Sequence, residues 1–175
     1  MWENASPCPC RRGAMKSDPP LRLYSMTDNS IAVSRQIPVS ADKLFALLAD
    51  PARHPEIDGS GMVREAVSPR PVTAVGDDFV MRMHHDEFGD YQMTNHVVAF
   101  EPGRRIEWMP ERIGAEPGRY RWGYELTPDG PDTTVVTETF DCAASPDWLK
   151  EATQGGEGWR EAMQASLARL EQLSL

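Results

Sequence analysis

The sequence predicts an α+β domain: a curved antiparallel sheet of about six or seven strands wrapped around one long C-terminal α-helix, with two short helices after the first strand. Two observations carry this. The first is the order of elements, one strand, two short helical stretches, a run of strands from Met62 to about Asp141, then a long amphipathic helix. The second is that no stretch of ten or more residues within the run of strands has helical period. Consecutive strands with short links form an antiparallel meander.

Along the chain, residues 1–28 are rich in Pro, Ser and charge and show no periodicity. They read as a disordered tail before a single domain at 29–175. Ile31, Val33 and Ile37 fall on one face of a first strand that Pro38 ends. Ser40 is a suitable N-cap and Asp42 sits in the first turn, where the helix dipole favours negative charge. The first helix runs from Ala41 to about Ala49, with Leu44, Phe45, Leu47 and Leu48 inward. Asp50–Pro51 opens a second short helical turn. The segment His54-Pro-Glu-Ile-Asp-Gly-Ser-Gly61 reads as a loop over one end of the sheet.

Strands are expected at Met62–Val67, Asp78–His85, Tyr91–Phe100, Arg104–Trp108, Tyr120–Leu126 and Thr133–Asp141. Turn signals at Gly89–Asp90, Pro102–Gly103 and Pro128–Pro131 separate several of them. Residues 143–155 read as a loop. The last helix, about Gly156–Leu173, places Trp159, Met163, Ser166, Leu167, Leu170 and Leu173 on one stripe.

The chain has 175 residues, a length that suits one domain, and a formal net charge of −9. Residues 1–26 are net basic, so the remainder is still more acidic. This balance argues against nucleic acid, whose phosphates call for clustered Lys and Arg. There is no apolar run long enough to span a membrane. Arg11 and Arg12 are not followed by an apolar stretch, so the start does not read as a secretory signal, and a cytoplasmic location is expected. Cys8, Cys10 and Cys142 do not make a disulfide framework.

Three segments resemble the polyketide cyclase/dehydrase-like group of the SRPBCC, START-related helix-grip superfamily. They are Asp50-Pro-Ala-Arg-His-Pro-Glu-Ile-Asp-Gly-Ser-Gly61, Phe100-Glu-Pro-Gly-Arg-Arg-Ile-Glu-Trp108 and Thr133-Thr-Val-Val-Thr-Glu-Thr-Phe-Asp141. The resemblance spans about Ser30–Leu173. It implies a cavity between sheet and last helix that takes a hydrophobic small molecule. It carries over no catalytic residue and implies no cofactor.

Side chains alternate across a strand, so one face of each should look at the last helix. That face holds Phe79, Met81, Met83 and His85 in one strand, Ile106 and Trp108 in another, and Tyr120, Trp122, Tyr124 and Leu126 in a third. With Trp159 and Met163 from the helix, these aromatic and Met side chains are the expected ligand-binding set, Ile106 and Leu126 excepted. A filled core is the alternative use of the same residues. The last strand is ambiguous: either Val135, Thr137 and Thr139 or Val136, Glu138 and Phe140 face in. Two registers compete in the fourth strand. One turns His96 inward opposite Met81, the other pairs Val97 with Trp108, and both hold only with a bulge.

The candidates for acid–base chemistry are His85, His96 and Glu138. A rim position is the alternative for His85, and an exposed strand face for Glu138. Glu107 is the other carboxylate drawn toward the sheet. His84-His-Asp-Glu87 resembles a metal cluster in composition, but neighbours on a strand point to opposite faces, so no metal site is expected. Asp58-Gly-Ser-Gly61 lacks the preceding strand of a phosphate loop. Trp148 and Trp159 flank the start of the last helix, where they gate a cavity or pack the helix.

Three functions follow as expectations: binding of a hydrophobic, aromatic or polyketide-like molecule; a cyclase or dehydrase acting on such a molecule; or a co-chaperone-like or toxin-partner module. Oligomeric state is left open. Deleting residues 1–28 is expected to leave the melting temperature within about 2 °C of the full chain. A larger fall in thermal unfolding would show a docked tail.

Overall fold

The computed structural model describes residues 29–67 and 69–175, so the tail and its Cys8 and Cys10 lie outside the described residues. Seven strands form one antiparallel sheet: β1 (Ser30–Ile37), β2 (Val63–Ala66), β3 (Asp78–His85), β4 (Gly89–Glu101), β5 (Arg105–Arg112), β6 (Arg121–Pro128) and β7 (Thr134–Asp141). Their order is β1-β7-β6-β5-β4-β3-β2. The meander runs β2 to β7, and β1 adds to its far side with Ser30 opposite Asp141 and Ile37 opposite Thr134.

The helices are α1 (Ala41–Leu48), α2 (His54–Ile57), α3 (Asp147–Ala152) and α4 (Arg160–Ser174). Ser40 takes the N-cap position of α1 but makes no side-chain cap bond. Asp50 does cap the 3-10 turn Pro51–Arg53, its carboxylate accepting from the Ala52 N–H at 3.0 Å. Two segments expected as loops are helical. His54–Ile57 forms α2 because Pro55 falls in its first turn, where a missing N–H costs nothing. Asp147–Ala152 forms α3 behind Pro146, with Asp147 in its first turn. Helix α4 also starts later than expected. Gly155 and Gly156 have φ of 66° and 102°, outside the helical region. Gly156 lies against the sheet, where a Cβ would come within 3.0 Å of both Ile31 and Phe140.

The β3–β4 hairpin closes through Asp86–Phe88, with His85 opposite Gly89, so Met81 faces Met93. Val97 pairs with Trp108, and a bulge at Val98 brings Ala99 opposite Glu107. The bulge switches parity. Before it Met93, Asn95 and Val97 are buried, and after it Phe100 turns inward to meet the Phe45 ring edge-on at 5.3 Å. Strand β5 extends past its expected end through Pro110. Beyond Trp108 it pairs only with β4, so one side is free of ladder bonds and proline is tolerated.

Helix α4 packs against α2, β1 and β7. The segment just after α2 comes unusually close to α4. A Cβ on Gly59 would lie 2.1 Å from the Ala162 carbonyl oxygen and 2.6 Å from the Ser166 nitrogen. The Gly59 N–H donates to Ser166 Oγ at 2.9 Å. Gly59→Ala must therefore push the helix off its seat. It is expected to cost at least about 2 kcal/mol, as overpacking does, lowering the melting temperature by roughly 4–8 °C. A melting curve matching the parent chain would contradict this packing.

Candidate functional site

A cavity of about 620 Å³ lies between the concave face of the sheet and α4. Strand β3 presents Phe79, Met81 and Met83 to it, β5 Trp108, β6 Trp122 and Tyr124, and α4 Met163. Tyr120 lies just before β6, and Trp159 just before α4; both face the same space. The aromatic side chains of the wall touch one another in two groups. Trp108 lies 6.0 Å from Tyr124, and Trp122 lies 4.7 Å from Phe140 and 5.7 Å from Trp159, centre to centre.

At one end the cavity opens. Trp148 is 61% exposed and Phe88 49%, yet both line it. The Arg112 guanidinium lies over the Phe88 and Tyr91 rings there, at 4.7 and 5.0 Å. His85 belongs to this rim. Its ring stacks on Phe88 at 4.2 Å, and its Nδ1 accepts from the Glu87 N–H at 3.2 Å.

Strand β7 resolves its ambiguity by pairing. Glu138 stands opposite Tyr124 and Val136 opposite Leu126, so the Val136–Glu138–Phe140 face points inward. Glu138 is only 4% exposed and lines the cavity, contrary to the exposed strand face that its surroundings in sequence suggest. It hydrogen-bonds to the Tyr124 hydroxyl, while its Oε2 has no partner. Burial pushes its carboxyl up to about 8, and the nearby Asp58 charge adds to this against the Tyr124 hydrogen bond. Burial, then Glu138, raises the Tyr124 hydroxyl well above its usual value.

His96 lies on the outer face of β4, away from the cavity. Its Nδ1 meets Asp78 at 2.7 Å and its Nε2 meets Glu111 at 3.2 Å. The Asp78 hydrogen bond is the main cause of its raised pKa. Glu107 also stays outside, paired with Arg105 at 2.7 Å.

Polar residues that the strand patterns did not single out also face the cavity. His54 stacks on Trp108 at 5.4 Å and meets Phe79 edge-on at 5.3 Å. Its Nε2 donates to the Leu48 carbonyl at 2.9 Å, and burial holds its pKa below the ordinary value, so the ring is neutral. The signal was the Pro55 after it, which permits a helical turn. Asn95 donates to the Phe79 and Met93 carbonyls at 3.3 and 3.4 Å. Its burial follows from the odd-residue parity of β4 before the bulge. Asp58 lines the cavity too, but both of its oxygens are engaged. Oδ1 accepts from the Ser60 N–H and hydroxyl at 3.0 and 2.7 Å, and Oδ2 from the Val63 N–H at 3.0 Å.

A curved sheet gripping a helix is shared with known proteins. The family described as "Polyketide cyclase / dehydrase and lipid transport" matches residues 29–174. The chain belongs to this family. It is 37% identical over 146 residues to Rv0088, an uncharacterised protein of Mycobacterium tuberculosis. That match covers 79% of this chain and 62% of Rv0088, so the chain spans less than two thirds of the relative's length. NE0264 of Nitrosomonas europaea has the same fold, with a TM-score of 0.64 at 15% identity, covering 85% of this chain and 96% of that one. CV1439 of Chromobacterium violaceum gives a TM-score of 0.63 at 18% identity, over 85% and 98% of the two chains.

The buried carboxyl predicts a pH signature. Below pH ~4.5 Glu138 is protonated in folded and unfolded chains alike and adds no pH dependence. From there to about pH 8 the unfolded chain gives up the proton and the folded chain keeps it, so stability falls as pH rises, then levels off. The loss is on the order of a few kcal/mol. Urea unfolding of the parent chain and Glu138→Gln between pH 5 and 8.5 should show this fall only in the parent. Parallel profiles would place the carboxyl in contact with water.

Proposed function

We propose that this domain binds a hydrophobic small molecule in the cavity between the sheet and α4. The observation that carries the proposal is the cavity itself. The fold buries a contiguous core of Ile31, Leu44, Leu48, Ile106, Val136 and Leu170, yet leaves about 620 Å³ open among Met and aromatic side chains. A volume in this range holds a drug-sized molecule, and such walls suit an aromatic or polyketide-like one. The family's description, which names both polyketide and lipid chemistry, supports the same reading. Phe79, Met81, Met83, His85, Trp108, Tyr120, Trp122, Tyr124, Trp159 and Met163 are the proposed contacts.

One observation favours a second reading, catalysis on the bound molecule. Glu138 holds a proton near neutral pH beside the Tyr124 hydroxyl, inside a space where a flexible chain could be folded for cyclisation and loss of water. The acid would then protonate a departing hydroxyl. An interaction module would call for a closed core, so the open cavity gives that reading no support.

Nile red, an uncharged apolar dye, tests the binding proposal. The expected result is saturable one-to-one binding with a blue-shifted emission. Trp122→Ala should weaken it about tenfold, roughly 1.4 kcal/mol, and Arg121→Ala, on the exposed side of β6, by less than about twofold. Absence of saturable binding would sink the proposal, and equal losses in the two variants would place the dye elsewhere.

A further inference from the structure

Within the proposed ligand-binding reading, on which this inference rests, one group stands apart from the walls around it. Glu138 is buried, faces the cavity and leaves Oε2 without a partner. Among the described residues no cation pairs with it. The guanidinium that lines the cavity, Arg112, lies at the open end over the Phe88 and Tyr91 rings. A second carboxylate, Asp58, faces the same space and makes its potential more negative. The side chains of Trp108, Trp122, Tyr124 and Trp159 line the same space, and the face of an aromatic ring carries the negative side of its quadrupole. An unpartnered buried carboxyl is costly, whereas one paired with a cation among aromatic faces is a well-suited recognition site.

We propose that the cavity takes an apolar molecule carrying a basic nitrogen, with the ammonium group against Glu138 and the apolar body against the aromatic wall. Binding then converts a neutral acid into a carboxylate. Glu138 gives its proton to solvent, the ligand keeps its own, and one proton is released per molecule bound near pH 7. The other titratable groups facing the cavity are few. Tyr91, Tyr120 and Tyr124 stay protonated, burial raising all three. His54, held neutral by burial, and Asp58 come from the segment beside α2. His85, Arg112 and Glu116 stand toward the mouth, and α4 contributes none.

The test uses three probes of one shape: 1-(2-naphthyl)ethylamine, 1-(2-naphthyl)ethanol and 2-acetylnaphthalene, each competing with Nile red on the full chain. The amine should bind at least about tenfold more tightly than the alcohol or ketone. Calorimetry at pH 7 in two buffers of different ionisation enthalpy should report release of about one proton. In Glu138→Gln the three affinities should converge to within about twofold. A ketone that binds as tightly as the amine would make Glu138 a hydrogen-bond donor to a carbonyl and overturn the inference. So would amine binding without proton release, a reading that does not depend on the variant folding. Nile red binding that no amine displaces overturns this inference and leaves the ligand-binding reading intact. Failure of Nile red itself removes both.

Discussion

The seat of the last helix on Gly59 governs the remainder of the molecule. A helix normally approaches its neighbour at a distance set by side chains. Here the Gly59 backbone lies directly on the Ala162–Ser166 turn, and the Ser166 hydroxyl accepts the glycine N–H. The Ser166 hydroxyl in turn donates to the Ala162 carbonyl at 3.0 Å. Arg169 adds a guanidinium bond to the Asp58 carbonyl from the same side of α4. With one flank drawn onto this segment and the other resting on β1, the helix bridges the concave sheet instead of sinking into it. The space beneath is a consequence of that span, and a larger residue at 59 would alter it at once.

The second constraint is the bulge at Val98. A strand as long as β4 cannot follow a curved sheet in one register without straining its ladder, and one extra residue lets it bend. The bulge also divides β4 by function. Its first half turns Met93 and Asn95 toward the cavity, and its second half turns Phe100 onto α1. The same device keeps His96 outside between two carboxylates, where a uniform even-residue register would have turned it inward.

These devices explain what was legible in the sequence. Strands β3 and β6 carry unbroken alternation, so Phe79, Met81, Trp122 and Tyr124 could be placed by parity alone. Strand β7 could not, because Val and Thr occupy both of its faces and only the Tyr124–Glu138 pairing selects one. Short helices α2 and α3 escape a periodicity argument because four or six residues hold too few turns to repeat. His54 was hidden for the same reason. Its place in the wall depends on a single helical turn and on Trp108, far off in the chain, coming to stack on it.

Glu138 bears on what the cavity is for. Packing alone would favour an apolar residue opposite Tyr124, since an uncompensated carboxyl in such a place costs stability at neutral pH. The neighbouring choices deepen that cost. Asp58 adds like charge, and the wall's only guanidinium among the described residues is held at the mouth by aromatic rings. A carboxyl kept neutral by its surroundings is unstable toward anything that offers it a partner, a proton acceptor or a cation. The fold thus holds this deep carboxyl in a state that a ligand can relieve. Departures from good core chemistry of this kind mark function more often than folding.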